Sequence, residues 1–148
     1  MNDHSATDST LISSERVTGT NVYNRIGDKL GSIEAMLINK ASGQVRFAVM
    51  SFGGILGIGE RYHQLPWAGL AYDQSREGYV VNISDEALKS APVYTREQLD
   101  GYDYARHASA IDNYYAALDG FYSPKQQAMR NNGAVPAGQF QPGNDQRV

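Results

Sequence analysis

Three histidines, one acid–imidazole pair and one glycine-rich run are the places in this 148-residue chain where chemistry could be staged. His63 stands close to Trp67 in the run Tyr62-His63-Gln64-Leu65-Pro66-Trp67. Its imidazole titrates near neutral pH and could serve as a base or a ligand. Base catalysis needs an identifiable partner, and no second histidine, aspartate or glutamate stands at motif spacing beside it. His63 therefore reads as a hydrogen-bonded structural residue, and Trp67 as a core anchor. Asp103 and His107 lie one helical turn apart and could pinch a cation, but zinc sites usually collect three or four ligands. A solvated helix face accounts for that pair. There is no cysteine, which removes disulfides, thiolate metal sites and thiol nucleophiles together. No catalytic residue, no metal site and no cofactor is expected, and the chain does not read as an enzyme.

The glycine-rich run is Ser51-Phe52-Gly53-Gly54-Ile55-Leu56-Gly57-Ile58-Gly59, leading into Glu60. A phosphate-cradling loop would end in Gly-Lys followed by Ser or Thr; here Gly59 is followed by Glu60. A dinucleotide fingerprint sits between a strand and a helix, whereas strand-like sequence flanks this run on both sides. Its glycines permit backbone angles closed to other residues, while Ile55, Leu56 and Ile58 need cover or stand as an exposed apolar patch. Such a loop suits packing and partner contact better than nucleotide chemistry.

The elements around these residues are short. Residues 1–10 are small, polar and acidic and are expected to be disordered. Strand-like runs follow at Arg16 to Asn24 and Lys29 to Asn39, with Asn24-Arg25-Ile26-Gly27-Asp28 as the turn between them. Lys40-Ala41-Ser42-Gly43 makes the next turn. Gln44 to Phe52 is the strongest strand: Val45, Phe47, Val49 and Ser51 share one face, Arg46, Ala48, Met50 and Phe52 the other. Both faces are apolar enough to require cover on two sides. Tyr62 to Leu65, Leu70 to Asp73 and Tyr79 to Ile83 are shorter strands, and Ser84 caps one helical turn.

Beyond Pro92 the period changes. Thr95-Arg96-Glu97-Gln98 has capping-box spacing. Tyr104, Ala108, Ile111, Tyr115, Leu118 and Tyr122 then form one apolar helical stripe. That stripe either folds back onto the strands or meets a second molecule. Ser123-Pro124 stops it, and residues 123–148 read as a disordered tail. The division is thus a disordered N-terminus (1–10), a strand-rich domain (11–94), a helical extension (95–122) and a tail (123–148).

The formal charge of -3, with 16 acidic against 13 basic side chains, makes nucleic acid an unfavoured partner, since such binders usually show a basic patch. No apolar run approaches the roughly 18–20 residues of a membrane-spanning helix. The N-terminus lacks the charge and apolar core of a secretory signal. The expected location is the cytoplasm.

The order of these pieces resembles the PRC-barrel family, the small β-barrel of the photosynthetic reaction-centre H subunit's cytoplasmic domain and of a ribosome maturation factor's C-terminal half. The residues carrying the resemblance are Val17-Thr18-Gly19, Gly27-Asp28-Lys29-Leu30-Gly31-Ser32-Ile33-Glu34, Gly43-Gln44-Val45-Arg46-Phe47-Ala48-Val49 and the run from Ser51 to Trp67. It covers Ile12 to Tyr94, and the chain is most similar to stand-alone bacterial members, including their Asn113-Tyr114-Tyr115 extension. The resemblance implies an all-β fold: a small barrel with a C-terminal helical appendage and disordered ends. It brings no shared catalytic residues, and the family's members act mostly through protein contacts. The expected function is a non-catalytic interaction or assembly module, homodimeric and with a further protein partner. Ribosome or RNA association, by analogy with the maturation factor, and small-ligand binding inside the barrel are the alternatives. The candidate interaction surface comprises Met50, Phe52, Ile55, Leu56, Ile58 and Tyr115.

Overall fold

The computed structural model describes residues 10–52, 61–100 and 104–131. Local chemistry sets most of its boundaries. Ser13 accepts the Glu15 N–H and caps a single helical turn, α1 (Ser14–Val17). This turn replaces the first half of the expected Arg16–Asn24 strand, leaving β1 as Asn21–Tyr23. The Asn24 side-chain oxygen accepts from the amides of Ile26 and Asp28, closing the turn into β2 (Lys29–Ile38). Asn39 repeats the device with Ala41 and Ser42 before β3 (Val45–Phe52). An asparagine carbonyl so placed mimics a backbone acceptor and fixes a turn without help from elsewhere.

β4 (Arg61–Pro66) runs through a short 3-10 turn, Trp67–Gly69, into β5 (Ala71–Asp73), and β6 (Gly78–Val80) follows. The six strands form one sheet in the order β4-β3-β2-β1-β6-β5. All neighbours are antiparallel except β1 and β6, which pair in parallel, Val22 opposite Tyr79. The expected all-β closed barrel is therefore corrected in two respects. Among the described residues the sheet is mixed and open, with β4 and β5 as its edges. Helices form an integral part of the fold, since the helical residues Leu88, Ile111 and Tyr115 are buried in the main core.

Those helices are α2 (Asp85–Ser90), α3 (Arg96–Asp100), α4 (Tyr104–Ala116) and α5 (Pro124–Asn131). Ser84 caps α2 through the Ala87 amide, and Thr95 and Gln98 exchange both bonds of the expected capping box. The segment between α2 and α3 runs along the outer edge of β4, where Tyr62 and Tyr94 exchange two backbone bonds of 2.8 and 2.9 Å. An exposed edge would present unpaired amides to other chains; Tyr94 occupies part of it here.

The central strand β3 has cover on both faces, as its composition requires. Phe47, Ala48 and Met50 join the main core with Val22, Ile33 and Leu65. Val49 instead packs with Tyr62 and with Leu99 of α3. The α4 stripe completes the main core: Ile111 and Tyr115 are buried in it, followed by Phe121. Of the two destinations open to that stripe, the helix takes its own sheet. Gly69 makes this docking possible, since a Cβ there would run into the Phe121 ring. Tyr114 donates to the Ala87 carbonyl at 2.6 Å and Asn82 to the Gly120 carbonyl at 2.7 Å, tying the extension to the strand domain.

The first turns of the expected tail are helical. Ser123 accepts from the Gln126 amide while the Gln126 side chain accepts from the Ser123 amide, a capping box that starts α5. Pro124 at the first helical position loses no bond. The spacing Ser123-Pro124-Lys125-Gln126 was the signal, legible in the sequence and outweighed there by the polar composition around it. Residues 1–9 and 132–148 lie outside the described residues.

Candidate interaction surface

Of the candidate surface residues, Met50, Phe52 and Tyr115 are among those described. Met50 has no exposed surface and belongs to the main core. The strand face opposite Val49 thus points into the protein, and Val49 is covered separately by a helix. Tyr115 is likewise fully buried, between Phe121 at 5.0 Å and Tyr114 at 5.1 Å between ring centroids. Both are corrections: each side chain serves the interior. Ile55, Leu56 and Ile58 lie outside the described residues. Phe52, the last residue of β3, is half-buried at the entrance to the glycine-rich run.

Phe52 meets the one histidine with a defined structural position in this region. The rings of Phe52 and His63 stack with centroids 4.4 Å apart and planes 13° from parallel. His63 lies opposite Met50 in the β3–β4 register and is 1% exposed. Its Nδ1 lies 2.9 Å from the Pro92 carbonyl oxygen, so Nδ1 carries the proton and donates. Nε2 is buried and finds no hydrogen-bond partner among the described residues. Loss of hydration holds the imidazole pKa below its ordinary value, and the Pro92 bond offsets this only in part. The residue pins the β4 edge to the segment leading into α3.

A pH dependence follows. The neutral imidazole is favoured in the folded chain, so its contribution to stability is complete above the unfolded-state pKa of about 6.5. That contribution is lost as pH falls from there toward the lowered folded-state value. His63→Gln keeps an N–H for Pro92 but gives up the ring stack, which is worth about 1 kcal/mol. In urea titrations the variant should be less stable than wild type at pH 8, and the gap should narrow toward pH 5. A gap that widens on acidification would show that His63 is stabilised in its charged form.

The described surface carries one apolar groove that sequence reasoning did not single out. It lies between the β2–β3 hairpin and the start of α4, encloses about 700 Å³ and is walled by Met36, Leu37, Phe47 and Ala108. Ile38 is 53% exposed and Tyr104 37% exposed at its margin. Tyr104 and Ala108 open the α4 stripe; Ala108 packs against the main core, while Tyr104 stays exposed. Periodicity identified the stripe; it could not show which of its turns are covered.

Arg46, which lines this groove, is held in an ion pair. Arg46 of β3 donates to the Asp112 carboxylate at 2.6 Å, joining the strand to α4 one turn beyond Ala108. Burial pushes the Asp112 carboxyl above the ordinary carboxylate range, and Arg46 opposes this only in part. The pair therefore acts as a specific tie between sheet and helix and adds little net stability.

No group of three or more His, Cys, Asp or Glu side chains that could hold a metal occurs among the described residues. Asp103, half of the candidate cation pair, lies outside them. No described helix is long and apolar enough to cross a membrane. In comparison with known protein families, the sequence model of the PRC-barrel domain matches residues 10–96. No curated protein matches the chain.

Proposed function

The chain belongs to the PRC-barrel domain family, and from that premise we propose that it is a non-catalytic interaction or assembly module that pairs with a second copy of itself in the cytoplasm. Family membership suggests a small interaction or assembly module. The homodimer rests on one observation about β3. Both of its faces are already filled from within the chain, Met50 by the main core and Val49 by Leu99 and Tyr62. Phe52, half-buried, then leads directly into Ile55, Leu56 and Ile58. Three aliphatic side chains following a strand whose covering is complete suit a twofold contact, in which each copy's run covers the other's.

The absence of an assembled nucleophile–base pair in the sequence supports the non-catalytic reading, as does His63's engagement with Pro92 and Phe52. The net charge of -3 weighs against nucleic acid as the partner.

Light scattering tests the dimer. Central interface anchors typically contribute about 1–2 kcal/mol or more when truncated. Ile55→Ser combined with Leu56→Ser should therefore raise the dimer dissociation constant by at least about tenfold and move the mass toward monomer, with unfolding still cooperative. A wild-type chain that is monomeric at high concentration refutes the proposal. A double variant that fails to fold assigns those side chains to the interior.

A further inference from the structure

We propose that the pocket between α1 and the β5–β6 hairpin binds a small zwitterion of the betaine type, with its methylated ammonium on the aromatic rings and its carboxylate toward Arg16. The pocket encloses about 500 Å³, and Trp67, Tyr72 and Tyr79 all line it. Local structure assembles the three rings. The hairpin sets Tyr72 directly opposite Tyr79 in the β5–β6 register, where the rings meet edge to face with centroids 5.2 Å apart. Trp67, the first residue of the 3-10 turn that leads into β5, brings its ring to 5.3 Å from the same Tyr79. Tyr79 is 5% exposed and Tyr72 46%, so the group has a fixed base and an accessible outer ring. Aromatic faces attract organic cations, and quaternary ammonium ligands are recognised in this way.

Charge narrows the occupant further. Arg16 of α1 and Glu77, in the turn before β6, both line the pocket, yet they form no ion pair with each other among the described residues. Two opposite charges that border one space without meeting favour a guest that carries both signs. Glu77 supplies the counter-charge for an ammonium group, and the planar guanidinium of Arg16 suits a carboxylate. A methylated ammonium fits better than a primary one, because its methyl groups also gain from apolar contact. That contact is at hand: Leu11 and Ile12, 81% and 43% exposed, line the same pocket. The turn also fixes Glu77, whose amide donates to the Gln74 carbonyl at 3.3 Å. With φ at 53°, Glu77 is the one non-glycine residue with positive φ among the described residues, a conformation found at ligand clamps among other sites.

Trp67 is the chain's single tryptophan, so its fluorescence reports on the pocket directly. N,N,N-trimethylglycine added to the full-length protein should change that emission saturably, and saturation-transfer NMR should detect its N-methyl protons in the bound state. The isostere tert-butylacetate keeps the shape and the carboxylate but has carbon in place of the charged nitrogen. It should bind at least about tenfold more weakly. Choline, which keeps the cation and lacks the carboxylate, should also bind more weakly than trimethylglycine. Tyr72→Leu and Glu77→Gln should each raise the dissociation constant for trimethylglycine at least about threefold. Arg16→Gln should weaken trimethylglycine without weakening choline. All three substituted side chains are exposed, so the fold should persist, as circular dichroism would verify. Failure of both readouts to detect trimethylglycine overturns the inference. Equal binding of tert-butylacetate would show an apolar pocket indifferent to charge, and equal binding of choline a site for cations alone; either overturns it. None of these readouts depends on mass, by which the Ile55 and Leu56 dimer is judged.

Discussion

Tyr115→Ala should lower folding stability by about 3–5 kcal/mol, the usual cost of truncating a large buried ring. The side chain is completely enclosed and packs against both Phe121 and Tyr114, and it is the point where α4 is fastened to the sheet core. Tyr115→Phe should behave quite differently. The hydroxyl is buried without a hydrogen-bond partner among the described residues, and burial raises the phenol pKa well above 10. Removing an unsatisfied polar atom while keeping the ring is neutral or mildly stabilising. Urea unfolding of the two variants separates the roles. Were Tyr115 a contact for another molecule, alanine would leave monomer stability almost unchanged and shift only association; a loss below about 1 kcal/mol would place the residue outside the core.

Gly31→Ala should be comparably severe, at about 3 kcal/mol or more, the upper range for overpacking a rigid site. Gly31 lies in β2 between β1 and β3, paired with Val22. A Cβ there would overlap the Ser51 backbone oxygen and approach the Met50 Cγ to 2.9 Å. A flexible thioether could retreat, but the carbonyl belongs to the strand itself. Accommodation thus requires β2 and β3 to separate along the ladder that joins Ser32 to Ser51. Combining Gly31→Ala with Met50→Ala should accordingly fail to restore the urea midpoint. Recovery in the double variant would locate the conflict in the methionine side chain and contradict this account.

Those parts of the protein that depend on neighbours along the chain were legible before any fold was known. The Asn24 and Asn39 turns, the Ser84 cap and the Thr95–Gln98 capping box form because each side chain reaches backbone groups only two to four residues away. The two-sided covering of β3 was legible for the same reason, since alternating positions on both faces were apolar. The glycine and turn pattern from Val17 to Trp67 likewise identified the family that the domain comparison shows.

An apolar pattern leaves degenerate what only long-range packing resolves. Alternation separates Met50 from Val49 but does not say which face meets the main core and which meets α3. A helical stripe aligns Tyr104 with Tyr115 but does not say which of its turns the core covers, so one became a groove margin and the other the best-buried ring of its helix. Closure of the sheet was also beyond local reading, because it depends on whether the strand ends meet. Here β4 and β5 do not pair with each other among the described residues and remain the edges of the sheet. Burial is a property of distant segments packing together, and a periodic sequence specifies only that some surface must be covered, not which segment covers it.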